Sequence, residues 1–180
     1  MRSHAALRYH GGLETYSESI VPMSRQFSDD ASRLALLVDS WDHPDPFVIS
    51  VSADAGDIDS YQHVNNSVYA RWLDECAREH SKAVGIDAED AGELGYGMAV
   101  RDSHITYFSS AYQGEEILVG NWLTHCDGRL RATRQFQIVR QADGVTLTRA
   151  ELNYICIKID SGRPCKMPEL FREKYIVQGP

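Results

Sequence analysis

Within the stretch GDIDSYQHVNNSVYARWLDECAREH, residues 56–80, two carboxylates, an imidazole and two amides crowd together just ahead of an amphipathic run: Asp57, Asp59, His63, Asn65 and Asn66. These types in this order can handle an acyl group. The first turn of a helix leaves backbone N–H groups without partners, and these can polarise a carbonyl and stabilise an oxyanion; losing one such donor typically costs about 3 kcal/mol in the transition state. A carboxylate fixed a few residues upstream can attack that carbonyl or activate water against it. A histidine beside it can orient the carboxylate or move a proton near neutral pH. The same residues also have a plainer use. Asn65, Asn66 and Ser67 are good caps, and Asp57 and Asp59 favour a helix start through the dipole. Capping gives no reason for Tyr61, Gln62 and His63.

The helix that must position this cluster is legible. Val68, Trp72, Cys76, His80 and Val84 recur every four residues, and Leu73 and Ala77 widen the stripe. Arg71, Asp74, Glu75, Arg78, Glu79 and Lys82 occupy the opposite side, so one face is buried and the other wet. Asn65 or Asn66 caps its start, and Gly85 ends it. His80 falls on the apolar stripe and reads as a hydrogen-bonded core histidine. IDAEDAGELG then reads as a short acidic helix or loop.

Around the helix the chain alternates as strands do. FVISVSAD precedes the polar cluster, and MAVRDSHITYFSS, EEILVGNWLTHC, RLRATRQFQIVR and VTLTRAELNYICIKID come after it. Asp127-Gly128 and Asp143-Gly144 are strong hairpin signals between such runs. This predicts one strand, the long helix, then a four-stranded antiparallel meander, with a short amphipathic tail at ELFREKY. One helix facing five strands is buried best when the sheet wraps around it, an α+β architecture. A sheet edge then stays open, and pairing it with a second copy would hide it.

Residues 1–46 differ from the rest of the chain. They are polar, and they end in the turn-rich DHPDP. Leu34–Val38, with Ser28, Asp29 and Asp30 as caps, predicts a short docked helix; the first twenty or so residues read as disordered, and Met23 is a second possible start. The expected division is an extension over 1–46 and a domain over 47–180.

The chain has 180 residues and a net charge of −8, which argues against nucleic acid as a partner. Its four cysteines show no metal spacing and suit a reducing compartment. No stretch reaches membrane-spanning length and no signal segment opens the chain, so a cytoplasmic protein is expected.

The pattern D-x-D-x-x-x-H-V-N-N, then x-x-Y and a helix, resembles the signature of the hotdog-fold acyl thioesterases: the 4-hydroxybenzoyl-CoA thioesterase-like group, the bacterial long-chain acyl-CoA thioesterases and the plant acyl-ACP thioesterases. The likeness extends through SHITYFSSAYQGEEILVG and IDSGRPCKMP, over roughly 47–170. It implies a hotdog fold, a five-stranded antiparallel sheet wrapped around one long helix. It also implies hydrolysis of an acyl-CoA or acyl-ACP thioester without metal or cofactor, and a homodimer or tetramer. By position, Asp59 matches the family's nucleophile or general base, the Asn66 N–H its oxyanion donor, and His63 the histidine of the acyl-ACP branch. Glu75 matches a helix glutamate of that branch, and reads equally as a surface partner for Arg71 at i−4. Tyr61 stands where that branch has asparagine, and Asn65 either holds the loop around Asp59 or caps.

Tyr69, Trp72, Tyr107, Phe108 and Trp122 are candidate walls for an acyl slot, and Tyr69 and Trp72 read equally as core. Arg129, Arg131 and Arg134, with Arg163 and Lys166, are candidates for a nucleotide phosphate or for plain solvated charge. Asp57 reads as turn scaffolding. Two rival functions fit less well. A hotdog enoyl-thioester hydratase usually places Asn-Pro between aspartate and histidine, where this chain has Ser60-Tyr61-Gln62. A non-catalytic acyl-CoA sensor would need the pocket but not the carboxylate.

Overall fold

The computed structural model describes residues 41–177; the helix and disorder expected before residue 41 lie outside the described residues. Five antiparallel strands form one sheet in the order β1-β3-β4-β5-β2. They are β1 (Phe47–Ser52), β2 (Tyr96–Tyr107), β3 (Glu116–Cys126), β4 (Arg131–Arg140) and β5 (Thr146–Lys158). The helix α1 (Asn66–Ala83) lies on the concave face, followed by the short α2 (Ala88–Glu93), while α3 (Glu169–Lys174) closes the chain.

The expected stripe is the buried face of α1: Val68, Trp72, Leu73, Cys76, Ala77 and His80 pack against Ile117, Val119, Phe136 and Leu152 of the sheet. Both ends of α1 are set by local chemistry. Asn65 is the cap, its Oδ1 accepting from the Ser67 N–H at 2.9 Å. At the other end Gly85 takes φ +88°, and the Gly85 and Ile86 N–H groups reach back to the Lys82 and Ser81 carbonyls, a Schellman closure. IDAEDAGELG resolves as helix, capped by Asp87 onto the Glu89 N–H.

The meander has three strands rather than four. The two Asp-Gly turns join β3 to β4 and β4 to β5 as expected, with Gly128 and Gly144 at φ +62° and +70°. β2, however, pairs with β5, and β3 pairs instead with β1. The reason is the connection over 108–115: it carries the chain across the end of the sheet, which a two-residue turn cannot do.

The convex face is also covered. Residues 41–45 run over it, held by the Asp42 carboxylate on Arg149 (2.6 and 2.8 Å), the Asp42 N–H on Gln137, and the Trp122 Nε1–H on the Pro44 carbonyl. The Trp41 ring sits on Gly120, where an added Cβ would approach it to 2.7 Å. Trp122 stacks edge-on to Trp41 and His43 on this outer side, so it is no wall of a slot between helix and sheet. Strand parity decides this: Ile117, Val119 and Leu123 belong to the inner core, Leu118 to the outer one.

His80 is the hydrogen-bonded core histidine its position implied. Its Nδ1 accepts from Asn121 at 2.9 Å and from Arg134 at 2.6 Å, and its ring stacks on Phe47. Burial first, then the Arg134 guanidinium, push its pKa from the ordinary 6.5 down to about 3. A ring held neutral this way stabilises the fold above pH 6.5, and the stabilisation is lost as pH falls toward 3, because only the unfolded chain takes up the proton there. Urea titrations should therefore show stability falling by up to about 1.4 kcal/mol per pH unit across that window. His80→Gln, which keeps an acceptor, should flatten the slope; an unchanged slope in that variant would assign the acid sensitivity elsewhere.

Candidate active site

The stretch between β1 and α1 folds into a miniature hairpin, Ile58 bridging to Val64. Asp59 organises its turn. Its N–H donates to the His63 carbonyl at 2.8 Å, and its Oδ1 accepts from the Tyr61 N–H at 2.8 Å and the His63 N–H at 3.3 Å. Gln62 completes the reversal in the left-handed region, at φ +62°. The second carboxylate oxygen, Oδ2, accepts no hydrogen bond among the described residues. The hairpin is pinned to the β2–β3 connection by the Val64 N–H on the Ala111 carbonyl.

Asp57 has a different environment. Both its oxygens accept from Arg71 Nη2, at 2.9 and 2.8 Å, and this guanidinium holds its carboxyl below the usual carboxylate range. Its carbonyl accepts from the Asn65 N–H at 2.9 Å. Asp57 thus ties the hairpin to the first turns of α1, as the scaffolding reading requires.

The hairpin, the start of α1 and the end of β2 enclose a cleft of about 470 Å³. Asp59, Tyr61, His63, Asn65 and Asn66 all line it. Asn66 is the first residue of α1, and its N–H donates to no group among the described residues, as the helix start dictates. Its carbonyl accepts from the Tyr107 hydroxyl at 3.3 Å. Tyr69, Tyr107 and Phe108 form apolar wall, and Tyr61, 79% exposed, stands at the rim. The Tyr69 hydroxyl is buried and accepts from the Ala111 N–H at 2.7 Å. Asp59 and the first residue of α1, Asn66, therefore line one cleft.

Other predicted residues fall elsewhere. The His63 ring packs edge-on against Tyr112 at 5.2 Å, so His63 reaches Asp59 through its main chain and not through its imidazole. Trp72 is core, 5.3 Å from the Tyr69 ring. Glu75 is exposed and outside the cleft wall, and Arg71, its i−4 neighbour, turns to Asp57 instead. The arginine cluster dissolves on strand parity and register. Arg129 and Arg131 are exposed at the β3–β4 hairpin, where Arg131 pairs with Ile155, whereas the cleft adjoins the Leu147 end of β5. Arg134 points inward and is buried. Ser109 and Ser110, which line the cleft, were missed; their signal was a hydroxyl pair directly after the aromatic end of β2.

Five antiparallel strands in this order around a single long helix define the hotdog class. The chain belongs to the thioesterase-like superfamily, whose family model matches residues 54–175. Among solved structures it is similar to a 1,4-dihydroxy-2-naphthoyl-CoA thioesterase from Synechocystis (16% identity, TM-score 0.66, 73% of this chain and 98% of that one). It is also similar to a Staphylococcus aureus protein solved in complex with CoA (18%, 0.68, 76% and 87%). A probable thioesterase from Escherichia coli matches as well (19%, 0.61, 73% and 98%). No curated protein matches the chain by sequence. No helix among the described residues is long and apolar enough to cross a membrane.

Proposed function

We propose that this protein hydrolyses an acyl-CoA thioester to the free acid and CoA thiol. The observation that carries the reading is the shared cleft: Asp59, its carboxylate anchored through Oδ1, and Asn66, whose N–H has no acceptor among the described residues, line the same space. The amide would polarise the thioester carbonyl and hold the developing oxyanion. Asp59 would then attack the carbonyl carbon, forming a mixed anhydride and expelling the thiolate, which water resolves. Alternatively it would take a proton from a water that attacks directly. Both routes need the carboxylate and the amide, and neither calls on a metal or redox group. Membership of the superfamily and the likeness to CoA thioesterases support the substrate class.

The second edge of β2 has no partner strand among the described residues, and Val100 and its neighbours there are exposed. Antiparallel pairing of two such edges would close the sheet into a homodimer and bring the Tyr96 end of one copy beside the cleft end of the other. The direct test is a panel of acyl-CoAs, acetyl through palmitoyl with benzoyl included, read by released thiol. Turnover that peaks at one acyl class supports the assignment. Failure on the whole panel, with the protein folded, would leave a binding module.

A further inference from the structure

At the far end of α1, helix and sheet enclose a second cavity, of about 270 Å³, which shares no lining residue with the Asp59 cleft. Ser81, on its wall, lies roughly 20 Å along the axis from Asn66 at the usual helical rise. Arg134, only 3% exposed, projects from β4 into this wall. Its guanidinium donates to His80 Nδ1 at 2.6 Å and to Ser81 Oγ at 3.1 Å, and it lies 6.0 and 5.5 Å from the ring centres of Tyr154 and Tyr175.

None of these partners carries a negative charge, and His80 is neutral at pH 7. No carboxylate comes within ion-pair distance of Arg134 among the described residues, and Asp74, the carboxylate on the wall, is engaged by Arg78. The Tyr154 hydroxyl adds a second unmet demand. It is buried without a hydrogen-bond partner among the described residues, on a residue 8% exposed, which lines the same cavity. A buried cation without a counter-ion and a buried hydroxyl without a partner are both costly, and one planar carboxylate answers both.

We propose that this cavity binds a small organic acid, its carboxylate paired with Arg134 and hydrogen-bonded by Tyr154, its compact apolar body packed against Met98, Leu123 and Phe171. A cavity of roughly 150 Å³ accepts benzene, so the space here holds a ring or a short chain together with the carboxylate. The inference does not depend on catalysis at the Asp59 cleft; a protein without turnover would bind the acid equally well.

Calorimetric titration of the full chain with benzoate and octanoate, each against its primary amide, tests it. The two acids separate an aromatic from an aliphatic carrier. Saturable one-to-one binding of either acid, at least about tenfold tighter than its amide, is the expected result. Tyr154→Phe keeps the ring and should weaken the acid about tenfold with little change in melting temperature, while Ala132→Met should fill the space and abolish binding. Equal affinity for acid and amide, no saturable binding of either acid, or an isotherm untouched by both substitutions would overturn the proposal.

Discussion

Asp59→Asn should lower the proposed thioester turnover by about 10²- to 10⁴-fold and leave the fold as it is. The substitution is clean because of how the residue is held. The Tyr61 and His63 N–H groups both bond to Oδ1, and an asparagine carbonyl oxygen can accept them unchanged. What disappears is the charge and the open Oδ2, the atom that would attack the carbonyl or take a proton from water. Asp57→Asn is the matched control, two residues away. Its carboxylate is already occupied by Arg71, so its loss loosens the hairpin and costs stability while turnover stays within a few-fold. Turnover measured by thiol release, beside thermal melts of both variants, separates the roles. Equal activity losses in the two would mean that only the hairpin's shape matters, and Asp59 would lose its assigned chemistry.

The contrast between the two aspartates shows what the sequence could and could not carry. Both were visible as polar residues ahead of a helix, and the motif pointed to Asp59. Only the packing shows that Arg71 claims Asp57, while Oδ2 of Asp59 accepts no hydrogen bond among the described residues. α1 was legible nearly to the residue because its apolar period, its Asn65 cap and its Gly85 stop all agree. The sheet was legible as strands but not as an order. The swap of β2 to the far edge depends on the 108–115 connection, which has no sequence signature as sharp as Asp-Gly. Trp122 was misplaced because a covering strap buries the outer face of β3 as well as the inner one, so polarity no longer alternates along that strand. Arg134 was misplaced for another reason: it lies in phase with the inward Ala132 and Phe136, and its charge outweighed its parity in the reading. His63 is a different case: its backbone holds Asp59, and a backbone role is invisible in residue type.

Asn66→Pro tests the other half of the proposed centre. Because the proposed donor is a main-chain N–H, no ordinary side-chain substitution removes it. Proline does, and Asn66 is the position in a helix where proline is tolerated. It is the first helical residue, whose N–H has no intrahelical acceptor and whose helical φ suits the ring. The preceding residue must be extended, and Asn65 is, at φ −60° and ψ 140°. The Asn66 carbonyl remains to accept from Tyr107, and the Asn65 cap onto Ser67 is untouched. Helix content and melting temperature should therefore hold, while kcat falls about 10²- to 10³-fold, the usual effect of deleting one oxyanion donor. Asn66→Ala keeps the N–H and should turn over at close to the parent rate. The loss should appear in kcat more than in KM, since the amide's bond strengthens as charge develops on the oxygen. A proline variant as active as the alanine one would remove the helix start from the mechanism, and Asp59 would have to act on a carbonyl polarised by something else.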